Sequence, residues 1–321
     1  MYTSRITRTF IILIAFVAVV AAPLTTQAQT PRQIKAVATI GMITDIVRIV
    51  GGEQVIVTGL MGPGIDPHLY RATAGDVKTL SDANIIFYGG LNLESKMAEI
   101  FERLGSKIPT VAVSRDIPEK DLLAEPTNPQ AKDPHIWFDV SFWSIATGTV
   151  AAELSKLDPT HAADYKARAE AYQKQLAALD QYTKDAILTI PKDQRLIITA
   201  HDAFHYYGRR YGIEVQGLQG VSTESEAGAD DVRQLVDLIV VRKVPAIFVE
   251  SSVPRRTIEA VQAAAKAQNW DVKIGGELFS DALGNPNTPE GTYIGMILHN
   301  NTTIVVALGG KMPPLPKELS P

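Results

Sequence analysis

Two copies of one tripeptide carry the first chemical signal in this 321-residue chain: Asp66-Pro67-His68 and Asp133-Pro134-His135, each in a polar, turn-rich stretch. Proline fixes its own φ and pushes the preceding residue out of helical space, so each histidine follows a stiff piece of backbone. A side chain meant to ligate a metal ion needs that kind of support. Asp-Pro is also an ordinary turn dipeptide, and two unrelated loop histidines would look the same in isolation. The chain has no cysteine, so any ion it holds must be bound through nitrogen and oxygen.

The elements around these residues follow a repeating pattern. Short β-rich runs at 35–40, 55–60, 85–88 and 110–113 alternate with helical stretches up to 50, at 74–81 and at 94–104. Such alternation implies βαβ units and a parallel sheet. Residues 114–132 hold Pro118, Pro126 and Pro129 and read as a loop leading into His135, followed by a helix over 142–156. Asp158-Pro159 then supplies a helix start. Tyr165, Ala169, Tyr172, Leu176, Leu179, Thr183 and Ala186 recur at spacings of four and three, one stripe of a long helix ending before Pro191. The alternation resumes with strands at 195–199, 214–218, 246–249 and 272–275, and helices at 202–211, 231–242, 255–267 and 291–308. The expected fold is therefore α/β: two lobes, each a mostly parallel sheet flanked by helices, joined by one long rigid helix. The expected boundaries are 29–157, 158–191 and 192–321.

Ligands of open parallel sheets sit beyond the carboxyl ends of the strands. His68 follows the second strand, His135 follows the loop after the fourth, His201 comes just after the first strand of the second half, and Asp281 follows its last. If the halves face each other, three imidazoles and one carboxylate meet in a cleft. That donor set suits four-coordinate zinc, or manganese if the carboxylate is bidentate.

With these positions in hand, the chain resembles the metal-binding receptors of bacterial ABC importers, the TroA-like class of zinc- and manganese-binding solute receptors. The matching stretches are 64–70, 133–139, 199–204, 211–213, 217–228, 249–252 and 279–283. The resemblance implies two α/β lobes on a rigid helix with a cation between them, and His68, His135, His201 and Asp281 as its ligands. It implies Zn2+ or Mn2+ as cargo, with Fe2+ behind them, an importer permease with its ATPase as partner, and no enzymatic activity. Manganese receptors of the class often carry glutamate where His201 stands, and zinc receptors often carry a histidine-rich loop that 114–132 lacks.

The bulk properties agree. A formal net charge of −4 without a basic run argues against nucleic acid as a partner. Arg5 and Arg8, an apolar run over 10–22 and Thr26-Gln27-Ala28 read as a secretory signal peptide cut after Ala28. The expected product is a periplasmic monomer, free of a lipid anchor because no cysteine is present. A rival reading pairs His201 with His205 in a secreted zinc metallohydrolase. That motif requires glutamate as base and both histidines in one helix, whereas Asp202 stands between them and His201 closes a strand. His161 is expected to be solvated and His299 to be a packing histidine. Glu250, at a strand end, either orients a ligand imidazole or is buried in a structural ion pair. Trp137 and Phe138 are expected beneath His135, and Glu224 and Glu226 either line the cleft, dock the permease or stand as solvated loop carboxylates.

Overall fold

A computed structural model describes residues 1–2, 33–126 and 128–320. The cleavage point after Ala28 and nearly all of the expected leader lie outside the described residues. From Gln33 onward the chain forms a compact unit of its own.

The first sheet is built from β1 (Ile34–Ala38), β2 (Val55–Gly59), β3 (Ile85–Tyr88) and β4 (Thr110–Ala112). Its order is β2-β1-β3-β4, all parallel, with Ile34 opposite Val55 and Val37 opposite Ile86. The crossovers carry α1 (Gly41–Gly51), α2 (Ala74–Ser81) and α3 (Ala98–Gly105). Helix α1 buries Met42, Ile43, Ile46, Val47 and Val50, as a helix covering a sheet must. A capping box between Thr73 and Asp76 starts α2.

The stretch 114–132 is more ordered than its prolines suggest. It contains a small antiparallel hairpin, β5 (Ala124–Glu125) and β6 (Asn128–Lys132). This ribbon is mostly polar and has no apolar alternation, which is why sequence pattern passes over it. Helix α4 (Val140–Leu157) then starts on the Asp139 side chain, which accepts the Ser141 N–H. A tight turn over Pro159–His161 leads into α5 (Ala162–Leu188), whose 27 residues span about 40 Å. All seven residues of the expected stripe are buried.

The second half contains β7 (Leu196–His201), α6 (His205–Tyr211), β8 (Glu214–Gln219), α7 (Ala229–Arg242), β9 (Ala246–Glu250), α8 (Arg256–Ala267), β10 (Lys273–Leu278) and α9 (Tyr293–Ala307). Strands β7 and β8 pair in parallel, as do β9 and β10, and β7 lies beside β9. These are two two-stranded sheets rather than the one sheet expected of this half; set side by side through β7 and β9, they give the order β8, β7, β9, β10, like that of the first sheet. One apolar core lies under β7 and β9 against α7 and α8. The larger core runs from the first sheet through α1, α4 and α5 to α6 and α9.

Candidate metal centre

Each Asp-Pro-His tripeptide folds in the same way. Asp66 Oδ1 accepts the His68 main-chain N–H at 2.9 Å, and Asp133 Oδ1 accepts that of His135 at 2.9 Å. Aspartate closes the turn, proline stiffens it, and histidine is presented beyond it. Gly64, at φ +72°, makes the left-handed bend that opens the first turn. His201 is the last residue of β7, and Asp281 stands in the loop after β10. The Trp137 indole N–H holds that loop by donating to the Ser280 carbonyl at 2.9 Å.

These four side chains meet. His68, His135, His201 and Asp281 are all buried, and each offers a ligating atom within 4.8 Å of the others. The Nε2 atoms of His68 and His135 are 3.3 Å apart. Asp281 straddles the other two imidazoles, with Oδ1 at 3.3 Å from His135 Nε2 and Oδ2 at 3.2 Å from His201 Nε2. All four come from the C-terminal ends of strands or the loops beyond them, two from each half.

Carboxylates behind the rings decide which nitrogen faces inward. Asp133 Oδ1 lies 2.8 Å from His135 Nδ1, and Glu250 Oε2 lies 2.7 Å from His201 Nδ1. The second approach is an ion-pair contact rather than an aligned hydrogen bond, since neither atom has a well-directed hydrogen-bond partner. Glu250 is fixed by its other oxygen, which accepts the Ala200 and His201 main-chain N–H groups at 2.7 and 2.9 Å. A carboxylate on Nδ1 keeps the proton there and leaves the Nε2 lone pair facing the centre. Lone pairs of His135, His201 and Asp281 therefore converge, and Asp281 Oδ1 and His201 Nε2 have no hydrogen-bond partner. Buried acceptors that face one another without a donor need a cation.

Without an ion, protons take that part. Burial opposes charge on His135, but Asp133 and then Asp281 outweigh it and hold the imidazole up at about 9. Burial likewise opposes charge on His201, and Glu250 with Asp281 raises it well above the usual range. His68 is pushed down to about 3, chiefly by burial. Burial would raise Asp281, yet His201 and His135 hold it well below the carboxylate range.

The other singled-out residues fall into place. His205 is outside the cluster, its Nδ1 at 3.3 Å from Asp133 Oδ2 and its Nε2 at 3.4 Å from Asp202 Oδ1. It opens α6 while His201 closes β7, so the two do not share a helix. Trp137 packs edge-on to His135 at 5.2 Å between centroids, and Phe138 is buried beside it. Glu250 is buried in an ion-pair contact with His201 Nδ1, where a carboxylate could orient that imidazole. His299 donates from Nε2 to the Glu277 carbonyl, 3.0 Å away, and packs on Phe279. His161 differs from expectation: it is half-buried against Asp158 at 2.6 Å rather than solvated. Glu224 accepts from Ser95 and Lys96 at 2.6 Å each, bridging the two halves of the chain. Glu226 lines a groove of about 250 Å³ with Asp66, Leu69 and Thr223.

Sequence reasoning missed three contributors: Asp133 as the orienting carboxylate, the Thr223–Asp66 hydrogen bond at 2.6 Å, and the Ser252 hydroxyl beside Asp281. The first was within reach, because aspartate two residues before each histidine is the repeated feature. The other two join residues far apart in the chain and leave no local pattern.

Comparison with known proteins puts this geometry in company. Residues 36–307 match the family described as ZnuA, zinc-uptake complex component A, periplasmic. The chain is 50% identical to the zinc-binding protein TroA of Treponema pallidum over 272 residues, 85% of this chain and 88% of that protein. It is 43% identical to the manganese-binding lipoprotein MntA of Bacillus subtilis over 277 residues, 86% of this chain and 90% of that one. The solved structure of the T. pallidum periplasmic zinc-binding protein superposes with a TM-score of 0.84 at 49% identity, covering 86% of this chain and 99% of the other. Several relatives are named lipoproteins, against the anchor-free product expected of this cysteine-free sequence.

Proposed function

This chain belongs to the ZnuA family of periplasmic metal-uptake components, and on that footing we propose that it captures a divalent transition metal, zinc or manganese, and hands it to an ABC importer. The family consists of solute receptors, not enzymes. The proposed ligands are His68 Nε2, His135 Nε2, His201 Nε2 and the Asp281 carboxylate. One observation carries the reading: three imidazoles and a carboxylate, all buried, converge within 4.8 Å of one another, and two carboxylates stand behind two of the imidazoles.

The donor set suits zinc in a four-coordinate site and tolerates manganese if both Asp281 oxygens bind. Fe2+ ranks behind both. Zinc binds more tightly than manganese to nearly any nitrogen and oxygen site, so affinity alone does not identify the physiological cargo. The hydrolase alternative has no support, since His205 is engaged by Asp133 and Asp202.

Two lobes, 29–157 and 192–321, joined by the segment 158–191, would account for a site that takes two ligands from each half. A leader over 1–28, cut after Ala28, would deliver the chain to the periplasm. There it would act as a monomer beside its permease and the permease's ATPase, with no nucleic-acid partner, in keeping with its net charge of −4. The test is metal analysis of exported protein purified without chelators, followed by zinc and manganese titration of His68→Ala and His201→Ala. Both variants should lose most of the affinity. Wild-type binding by both would put the site elsewhere.

A further inference from the structure

The Asp281 carboxylate is the one proposed ligand that could bind through one atom or two. Its terminal torsion is soft, so a small rotation would withdraw one oxygen from the centre. Here each oxygen faces a different imidazole, at 3.3 and 3.2 Å. The Ser252 hydroxyl lies on the His201 side, 3.3 Å from Asp281 Oδ2, and the Ser280 hydroxyl lies 2.8 Å from Ser252 Oγ. Each hydroxyl has one proton. When Ser252 donates to Asp281, Ser280 must therefore donate to Ser252. Ser280 is fully buried and its carbonyl is held by Trp137, so the chain of hydroxyls has a fixed base.

We propose that Ser252 is a positioning residue that keeps both Asp281 oxygens turned to the ion, and thereby holds the site open to manganese as well as zinc. The inference rests on the metal-receptor reading given above. Two carboxylate oxygens and three imidazoles make five donors, which suits manganese. One oxygen and three imidazoles make four, which suits zinc and serves manganese poorly. Without the hydroxyl the carboxylate is free to pivot to one-atom binding, and manganese is the ion that loses.

The test uses the full-length mature chain, wild type and Ser252→Ala, with zinc and manganese affinities measured by competition against chromophoric chelators. Manganese affinity should fall about tenfold and zinc affinity less than about threefold, since orienting partners of metal ligands are worth roughly ten- to a hundredfold. Loaded with Co2+ as a probe, the variant should absorb more strongly in the visible, as cobalt does on going from five donors to four. Ser252→Thr keeps the hydroxyl and should restore the wild-type ratio. Ser280→Ala should move the ratio the same way by less, and the double variant should match Ser252→Ala alone, because the two hydroxyls act in series. Equal losses for both ions with an unchanged cobalt spectrum would reduce Ser252 to packing and overturn the inference, as would a ratio moving toward manganese. Wild-type protein that binds neither ion would remove the receptor reading itself.

Discussion

Replacing Glu250 by Gln alters one atom of the side chain and should disable a histidine that the change does not touch. Glu250 is buried, and its Oε1 accepts two main-chain N–H groups, from Ala200 at 2.7 Å and His201 at 2.9 Å. The amide of the variant has to keep its oxygen there, because turning its NH2 toward two buried donors would leave both unsatisfied, at about 1–3 kcal/mol each. The NH2 is then forced into the place of Oε2, which lies 2.7 Å from His201 Nδ1. The imidazole answers by accepting at Nδ1 and carrying its proton at Nε2, the atom that must face the ion with a free lone pair. Zinc affinity should fall by roughly 10- to 100-fold, equivalent to about 1.4–2.7 kcal/mol. Folding should suffer less, since both main-chain hydrogen bonds survive. Chelator competition gives the affinity, and thermal unfolding of the metal-free chain gives the stability. A Gln variant that folds normally and binds zinc within about threefold of wild type, below the range for a lost orienting partner, would refute the reasoning.

Protons compete with the ion. In the metal-free chain His135 is held up at about 9, so at pH 7 it is protonated and capture must expel that proton. Zinc affinity should therefore rise with pH toward about 9 and fall steeply below pH 6, with at least one proton released per ion at pH 7. Calorimetry in buffers of different ionisation enthalpy measures this, and pH-independent binding between 5 and 8 would contradict it. For the metal-free fold, the raised His135 contributes stability that is fully present below its ordinary 6.5 and is lost as pH rises through about 9. The loop 220–228 crosses between the halves through Thr223 on Asp66 and Glu224 on Ser95 and Lys96. Thr223→Val removes one hydrogen bond of about 1 kcal/mol, so zinc release, followed by stopped-flow with excess chelator, should quicken several-fold. An unchanged rate would mean that this contact does not hold the cleft shut.

Much of this molecule is legible from its sequence because its chemistry lies at strand ends, where periodicity and turn signals coincide. The proline-stiffened turns at 66–68 and 133–135, the strand closing on His201 and the loop bearing Asp281 are all local features, and the fold brings them together as expected. The α5 stripe was readable because one helix face buries Tyr165, Tyr172 and Leu179. The hairpin β5–β6 was not, since a polar ribbon containing Pro129 has no apolar alternation. The start of α6 shifted from Asp202 to His205 because the Asp202 side chain is taken by the Gly217 N–H. Glu224 on Lys96 and Ser252 on Asp281 join residues brought together only by the fold.

The most direct test is anomalous diffraction from crystals of the zinc-loaded chain. The ion should lie about 2.0–2.1 Å from Nε2 of His68, His135 and His201 and about 2.0–2.2 Å from an Asp281 oxygen. Zinc found at His205, at a surface carboxylate cluster, or nowhere in the protein would contradict the account.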